Sequence, residues 1–281
     1  MRAGLVQLSA SDDPVANLAP VRDAVRRAVA GGAGFVLTPE VTNCVSSSRA
    51  HQNRVLSHEA DDPMLALLRD EAARAGIWLL AGSLVLKTRD ADGRFANRSF
   101  LIDPAGNIAA RYDKIHMFDV QVSESETYRE SAAIRPGDRA VVAQTPFATL
   151  GLSVCYDLRF PHLYRALAQA GAQVLCVPAA FSPVTGAAHW EVLLRARAIE
   201  TGCYVLAPAQ TGNHPITEGK PRATWGHSLA VAPWGEVLVD ADTEPGVSLI
   251  DLDMAEVTRA RTRVPALSHD RAFASPQGGA A

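Results

Sequence analysis

Twice along this chain, strand-like and helix-like stretches alternate and then close on a hairpin turning at Pro-x-Gly. The first turn is Asp103-Pro104-Ala105-Gly106 and the second is Pro233-Trp234-Gly235. Proline presets φ for such a turn, and glycine supplies the positive φ that follows. Before the first turn lie strand-like runs at 2–8, 35–40, 77–86 and 97–102, with the return strand at 108–112. Between them, residues 14–30 carry Leu18, Val21, Val25 and Val29 at helical spacing, and Asp62-Pro63 opens a helix over 62–75. Before the second turn lie strands at 148–154, 174–177 and 204–207, helices at 161–170 and 189–201, and a strand at 228–232 that returns at 236–239. Such alternation predicts an α/β protein. Its coarse duplication predicts an α-β-β-α sandwich, two sheets face to face with helices outside. One domain over 1–270 is expected, followed by a loose tail over 271–281.

Composition narrows the function classes. Apolar residues make up 48% of 281 positions, ample for a large core. A net charge of -3 without basic blocks argues against nucleic acid as a partner. No run reaches the roughly 18 apolar residues of a membrane span. The apolar run at the N-terminus is too short for a secretory signal. Four cysteines without a CxxC pair predict a reduced, cytoplasmic protein, with Cys176 and Cys203 as small core residues. His189-Trp190-Glu191 matches half of a zinc deaminase signature, but the P-C-x-x-C half is missing, so no metal is expected. No other cofactor is implied.

The chemistry centres on residues 151–161, GLSVCYDLRFP. An apolar strand stops at Cys155 and polar groups follow, which places the thiol at the carboxyl edge of a sheet, where α/β proteins bind ligands. The run fails the G-x-S-x-G hydrolase pattern. Three other ionisable residues stand where strands end: Glu40 after Thr38-Pro39, Lys114 after the first hairpin's return, and Glu130 in a loop. A thiol can attack an amide if a base removes its proton. A carboxylate in a dry pocket can be that base, because desolvation raises its pKa. An ammonium beside it can stabilise the oxyanion. Singly, each has a plain alternative: Glu40 as a loop cap, Lys114 as a solvent-facing charge. His116 is expected to make a supporting hydrogen bond, and Arg195 and Arg197 to belong to an ordinary amphipathic helix, at a possible dimer contact.

Taken together, the motifs resemble those of the nitrilase superfamily of carbon–nitrogen hydrolases, over roughly residues 2–270. TPE at Glu40, YDKIHMFD at Lys114, SVCYDLRFP at Cys155 and the loop glutamate Glu130 occur in the family's order. GAAHWEVLLRARAIE (186–200) and TWGHSLAVAPWGEVL (224–238) match further family segments. The chain is most similar to the Nit branch, which contains deaminated glutathione amidases and ω-amidases. The 120–130 loop lacks the Pro-Gly of many relatives. The resemblance implies the sandwich fold, a homodimer or larger assembly, no metal, and a small-molecule amide as substrate. It implies Glu40 as base, Lys114 and the Tyr156 backbone N–H as oxyanion donors, Cys155 as nucleophile and Glu130 as orienting group. Like-charge repulsion from Glu130 is expected to raise the pKa of Glu40 further. The resemblance also places Arg159 near a substrate carboxylate, which its planar guanidinium could hold through two bonds, with Asp157 as the alternative partner. Phe181 and Thr185 are expected to line the pocket. An N-carbamoyl amino acid as substrate and a non-catalytic binding relative are the other readings.

Overall fold

The computed structural model describes residues 1–122 and 127–274; positions 123–126 of the 120–130 loop and 275–281 of the expected tail lie outside the described residues. The first half runs β1 (Arg2–Gln7), α1 (Leu18–Ala30), β2 (Phe35–Leu37), α2 (Arg49–Val55), α3 (Pro63–Ala75), β3 (Trp78–Lys87), β4 (Phe95–Ile102) and β5 (Ile108–Asp113). A ribbon of β6 (Asp119–Gln121) and β7 (Thr127–Arg129) follows, then β8 (Val141–Gln144). The second half runs β9 (Thr149–Leu152), α4 (Pro161–Gln169), β10 (Val174–Cys176), α5 (Pro183–Thr201) and β11 (Tyr204–Ala207). A ribbon of β12 (Thr211–Asn213) and β13 (Ala223–Trp225) leads to β14 (Leu229–Val231), β15 (Val237–Asp240), β16 (Gly246–Asp251) and α6 (Ala255–Arg263).

The expected sandwich is present, and its duplication is more exact than the sequence suggests. One sheet has the order β16-β1-β2-β3-β4-β5, the other β8-β9-β10-β11-β14-β15. In each, two parallel pairs are followed by two antiparallel pairs. Each half also gives its last strand to the other's sheet: β8 pairs antiparallel with β9, and β16 with β1. Gly4 on β1 and Gly151 on β9 hold matching places, opposite Val36 and Leu175. A Cβ would stand 2.9 Å from Ala28 at Gly4, and 3.2 Å from both Leu167 and Ala172 at Gly151. Both glycines therefore let a helix lie close on its sheet.

Strand alternation divides the core. Leu5, Phe35, Leu37 and Leu80 point inward and share one apolar cluster with Leu150, Leu152 and Leu206 of the other sheet. Their neighbours Val6, Val36 and Leu79 point outward onto Val21, Val25, Leu65 and Leu68 of α1 and α3. Strands buried on both faces read as continuous apolar runs, and each fully buried side chain contributes about 1.5–3 kcal/mol.

Helix ends follow their caps. Asp62 Oδ1 accepts the Leu65 N–H at 2.8 Å, Pro63 sits in the first turn, and Gly76 closes α3 at φ 64°. The helix expected over 14–30 begins at Leu18, because Asp13 caps a separate turn at Val15 and Ala16 and the Asn17 side chain is engaged by Ser11. The helix expected from residue 189 begins at Pro183, where Ser182 supplies the N-cap. β8, β16, α2, α6 and the two ribbons were not anticipated. β8 and β16 are edge strands, and α6 buries only Val257 and Ala260, so each shows a weak apolar pattern.

Candidate active site

The carboxyl ends of β2, β5 and β9 converge on a cavity of about 790 Å³. Glu40 stands three residues past β2, Lys114 one past β5 and Cys155 three past β9. All three are buried, with 3%, 2% and 8% of their surface exposed. Glu130, at the end of the β6–β7 ribbon, reaches in from the side.

Lys114 joins the two carboxylates. Its Nζ lies 3.0 Å from Glu40 Oε1 and 2.9 and 2.8 Å from the two oxygens of Glu130. Glu130 Oε2 also accepts the Phe118 N–H at 2.7 Å, which ties the loop after Lys114 to the same carboxylate. Glu40 Oε1 receives a second bond from Asn97 Nδ2 at 2.9 Å, and Oε2 accepts the Ala180 N–H at 2.9 Å. The Cys155 thiol is near enough to the same carboxylate to act on its ionisation.

The backbone presents these groups under tension. Cys155 adopts φ 51°, and Val41, next to Glu40, adopts φ 49°. Such left-handed conformations cost a non-glycine residue on the order of 1–2 kcal/mol. Surrounding bonds enforce them. The Val41 N–H donates to Ser83 Oγ at 2.9 Å, and Gln210 Nε2 donates to Glu40 O at 3.0 Å. Cys155 opens a short 3₁₀ turn, Cys155–Arg159. At its start, Asp157 Oδ2 takes the Val154 N–H at 2.8 Å and Pro178 O takes the Cys155 N–H at 2.9 Å. The Tyr156 N–H has no acceptor among the described residues. An unpaired donor at a helix start beside the thiol is able to receive an anion.

The electrostatics correct one expectation. Burial pushes Glu40 up, but the Lys114 charge, hydrogen bonds from Cys155 and Lys114, and the field of Arg222 together hold it below the usual carboxylate range. The expected rise fails because Lys114 stands between the two carboxylates. Burial pushes the Cys155 thiol well up, the Glu40 charge adds to this, and Lys114 only partly offsets it. The resting pair is therefore a neutral thiol against an ionised carboxylate, an arrangement in which the carboxylate can take the thiol's proton.

Other expected residues are distributed around this centre. Tyr156, Phe181 and Thr185 line the cavity. Arg159 is not among the lining residues: its guanidinium lies over the Tyr156 and Phe181 rings, and Nη2 is 3.2 Å from His189 Nδ1. His116 Nδ1 is 2.7 Å from Asp157 Oδ1, a supporting contact. Cys176 and Cys203 are fully buried core residues. Arg197 departs from its reading as an ordinary amphipathic-helix residue. It is 5% exposed, and its Nε and Nη2 donate to Leu158 O at 3.0 and 2.8 Å, which pins the end of the cysteine turn. The sequence reading also missed Asn97, Gly82 and Arg222. A buried asparagine in strand β4 was the one available signal, since strands are depleted in it.

The family model "Carbon-nitrogen hydrolase" matches residues 2–262 of the chain. The deaminated glutathione amidase of Yersinia enterocolitica is 39% identical over 272 residues, spanning 96% of this chain and 93% of that one. Among solved structures, the C. elegans NitFhit protein is similar with a TM-score of 0.88 at 33% identity, over 96% of this chain and 65% of that one. A mutant amidase from Nesterenkonia sp. AN1, with acrylamide added at its active-site cysteine, is similar with a TM-score of 0.75 at 30% identity, over 94% and 98%.

Proposed function

The chain belongs to the carbon–nitrogen hydrolase family and is a hydrolase of non-peptide C–N bonds, and on that premise we propose the substrate and the role of each residue. The substrate is a small linear amide bearing carboxylate, of the deaminated-glutathione type, and the reaction passes through a thioester on Cys155. The observation that carries this reading is the Lys114 ammonium bridging Glu40 and Glu130 at hydrogen-bond distance, with the Cys155 thiol against Glu40.

Cys155 Sγ adds to the amide carbonyl carbon as Glu40 takes its proton. The oxygen becomes an anion facing Lys114 Nζ and the Tyr156 N–H; each such donor is worth about 3 kcal/mol of barrier. Collapse breaks the C–N bond, and Glu40 returns its proton to the departing nitrogen as ammonia or an amine leaves. Glu40 then deprotonates a water, which adds to the thioester. Release of the acid returns the proton to sulfur. Glu130 acts by orienting Lys114. Tyr156, Phe181 and Thr185 shape the acyl site, and Arg159 joins them from behind the two rings it covers. The protein is a single catalytic unit over 1–270, cytoplasmic and homodimeric. Four free thiols and the exposed Val184, Val192 and Ile199 along α5 support the last two points.

The test is product release from deaminated glutathione, α-ketoglutaramate, simple ω-amides and N-carbamoyl amino acids. Turnover of carboxylate-bearing amides above the others, abolished in Cys155→Ala, is the expected result. Full turnover by Cys155→Ala would remove the nucleophile assignment, and inactivity on the whole panel would favour a binding role.

A further inference from the structure

Asparagine is depleted in strands, yet Asn97 sits in β4 with 2% of its surface exposed, at the wall of the cavity. Only one end of its side chain is engaged. Nδ2 donates to Glu40 Oε1 at 2.9 Å, while Oδ1 is shut off from solvent and has no partner among the described residues. Charge sets this orientation, because the reversed amide would place an oxygen against an ionised carboxylate. An unmet buried acceptor destabilises a fold, and an apolar side chain of the same shape would be free of that penalty. Stability therefore explains the amide poorly, and what remains is the use of its donor end at Glu40.

Asn97 is itself held tightly. Its backbone O accepts the Lys114 N–H at 3.0 Å. Across the sheet it pairs with Val85 of β3, whose N–H and C=O are bound by the Asn43 side chain at 2.9 and 3.0 Å. The donor thus stands on a strand rather than a loop, where geometry is kept most closely. The lone pairs of Glu40 are then unequally used. Each carboxylate oxygen has two. Oε1 gives both, to Lys114 Nζ at 3.0 Å and to Asn97 Nδ2 at 2.9 Å. Oε2 accepts the Ala180 N–H at 2.9 Å, which among the described residues leaves one free. The Ala180 N–H also acts on the Cys155 thiol, which puts the sulfur on the Oε2 side.

We infer that Asn97 is a positioning residue for the base: with Lys114 it occupies both lone pairs of Glu40 Oε1, so that Oε2 alone exchanges the proton with Cys155 Sγ and with the departing nitrogen. This rests on the proposed function for the roles of Glu40 and Cys155. Asn97 changes no bond of its own; it donates to the ionised form of Glu40 and so favours it. Without that donor Oε1 regains a free lone pair, Glu40 is protonated more readily, and two bonds in place of three hold the carboxylate.

Asn97→Leu, close in shape, removes the donor and the unmet acceptor together. Two rates are followed across the acid and neutral range: amide hydrolysis, as kcat and KM, and alkylation of Cys155 by acrylamide, located by mass spectrometry. Alkylation needs the thiol and its base but no substrate. It therefore decides the inference even if the wild-type enzyme cleaves no amide of the panel, an outcome that would sink the proposed substrate reading alone. Near neutral pH, kcat and the alkylation rate should fall about 10–100-fold, the range of a hydrogen bond to a charged group, with KM little changed. The acid limb of both rates should move up by about one pH unit. The urea midpoint should hold, because the orphaned acceptor leaves with the donor. An acid limb that stays in place, or rates that match the wild type, overturns the inference. A lowered urea midpoint beside an unmoved limb would make Asn97 a structural residue only. If Asn97→Leu does not fold, Asn97→Ala, too small to overpack β4, carries the same readouts.

Discussion

Asp157, two residues beyond Cys155 and fully buried, accepts the Tyr112 hydroxyl at 2.6 Å. Tyr112 belongs to β5 of one sheet and Asp157 to the turn after β9 of the other. The bond therefore crosses the sandwich, two residues from Lys114 on one side and two from Cys155 on the other. The same carboxylate accepts the N–H groups of Val154 at 2.8 Å and His116 at 3.1 Å. Burial and the charge of Asp157 push the Tyr112 hydroxyl up, so it remains a donor. Tyr112→Phe should cost about 1–3 kcal/mol, the price of an unmet bond to a buried charge. Asp157→Asn should cost more, because its NH₂ meets backbone donors. Urea unfolding measures the loss. In both variants kcat should fall more than KM rises, and a change confined to KM would contradict a role in aligning Cys155 with Lys114.

Because Lys114 holds Glu40 below the usual carboxylate range, the base stays ionised across the neutral region. For a substrate that does not titrate, kcat/KM should stay level from pH 8 to pH 5 and decline only near or below the ordinary glutamate value of about 4.3. Lys114→Met removes the cation, so Glu40 is protonated at higher pH and the acid limb of any residual activity moves upward. It should also cost about 3–5 kcal/mol of stability, since a buried charge is left uncompensated. An acid limb near pH 7 in the wild-type enzyme would contradict the ionised resting state.

Gly82 on β3 is required by space. A Cβ there would lie 1.9 Å from Thr38 O and 2.5 Å from Pro39 O, the two residues that precede Glu40. Gly82→Ala must displace that segment. Overpacking typically costs about 1–3 kcal/mol, and a misplacement near 1 Å can cost about 100-fold in rate. Thermal unfolding and kcat/KM should both drop, and unchanged kinetics in a folded variant would contradict this account.

His214 links Ala10 O, 2.8 Å from Nδ1, to Thr224 Oγ1, 2.8 Å from Nε2. Burial, outweighing the bond to Ala10 and aided by Arg222, pushes its pKa down to about 4. The unfolded chain binds a proton at this histidine near pH 6.5, whereas the folded chain does so only near pH 4. Stability is therefore complete above pH 6.5 and is lost as pH falls toward 4, by up to about 3 kcal/mol at 1.36 kcal/mol per unit. His214→Gln should flatten that part of the stability profile. An equally steep profile in the variant would show that other groups carry the dependence.

Much of the fold was readable because its signals are local. Asp62-Pro63 with Gly76 marks α3, the Pro-x-Gly turns mark both hairpins, and continuous apolar runs mark the doubly buried strands. Edge strands β8 and β16 lack that apolar signal, since each gains a partner on one side only. The extra turns of α5 were missed because Ser182-Pro183 was passed over as a cap.

Residue type and order along the chain determined by themselves the sandwich class and the candidate thiol, lysine and two glutamates. Only tertiary structure decided how these groups charge one another. Ala180 binds Glu40 across 140 residues and Asn97 binds it across 57. No spacing encodes that Lys114 lies between two carboxylates, that Arg197 holds the cysteine turn, or that Arg222 lines the cavity. Periodicity and capping act between neighbours within a few residues, whereas burial and Coulomb energy depend on distances that exist only once the two sheets have packed.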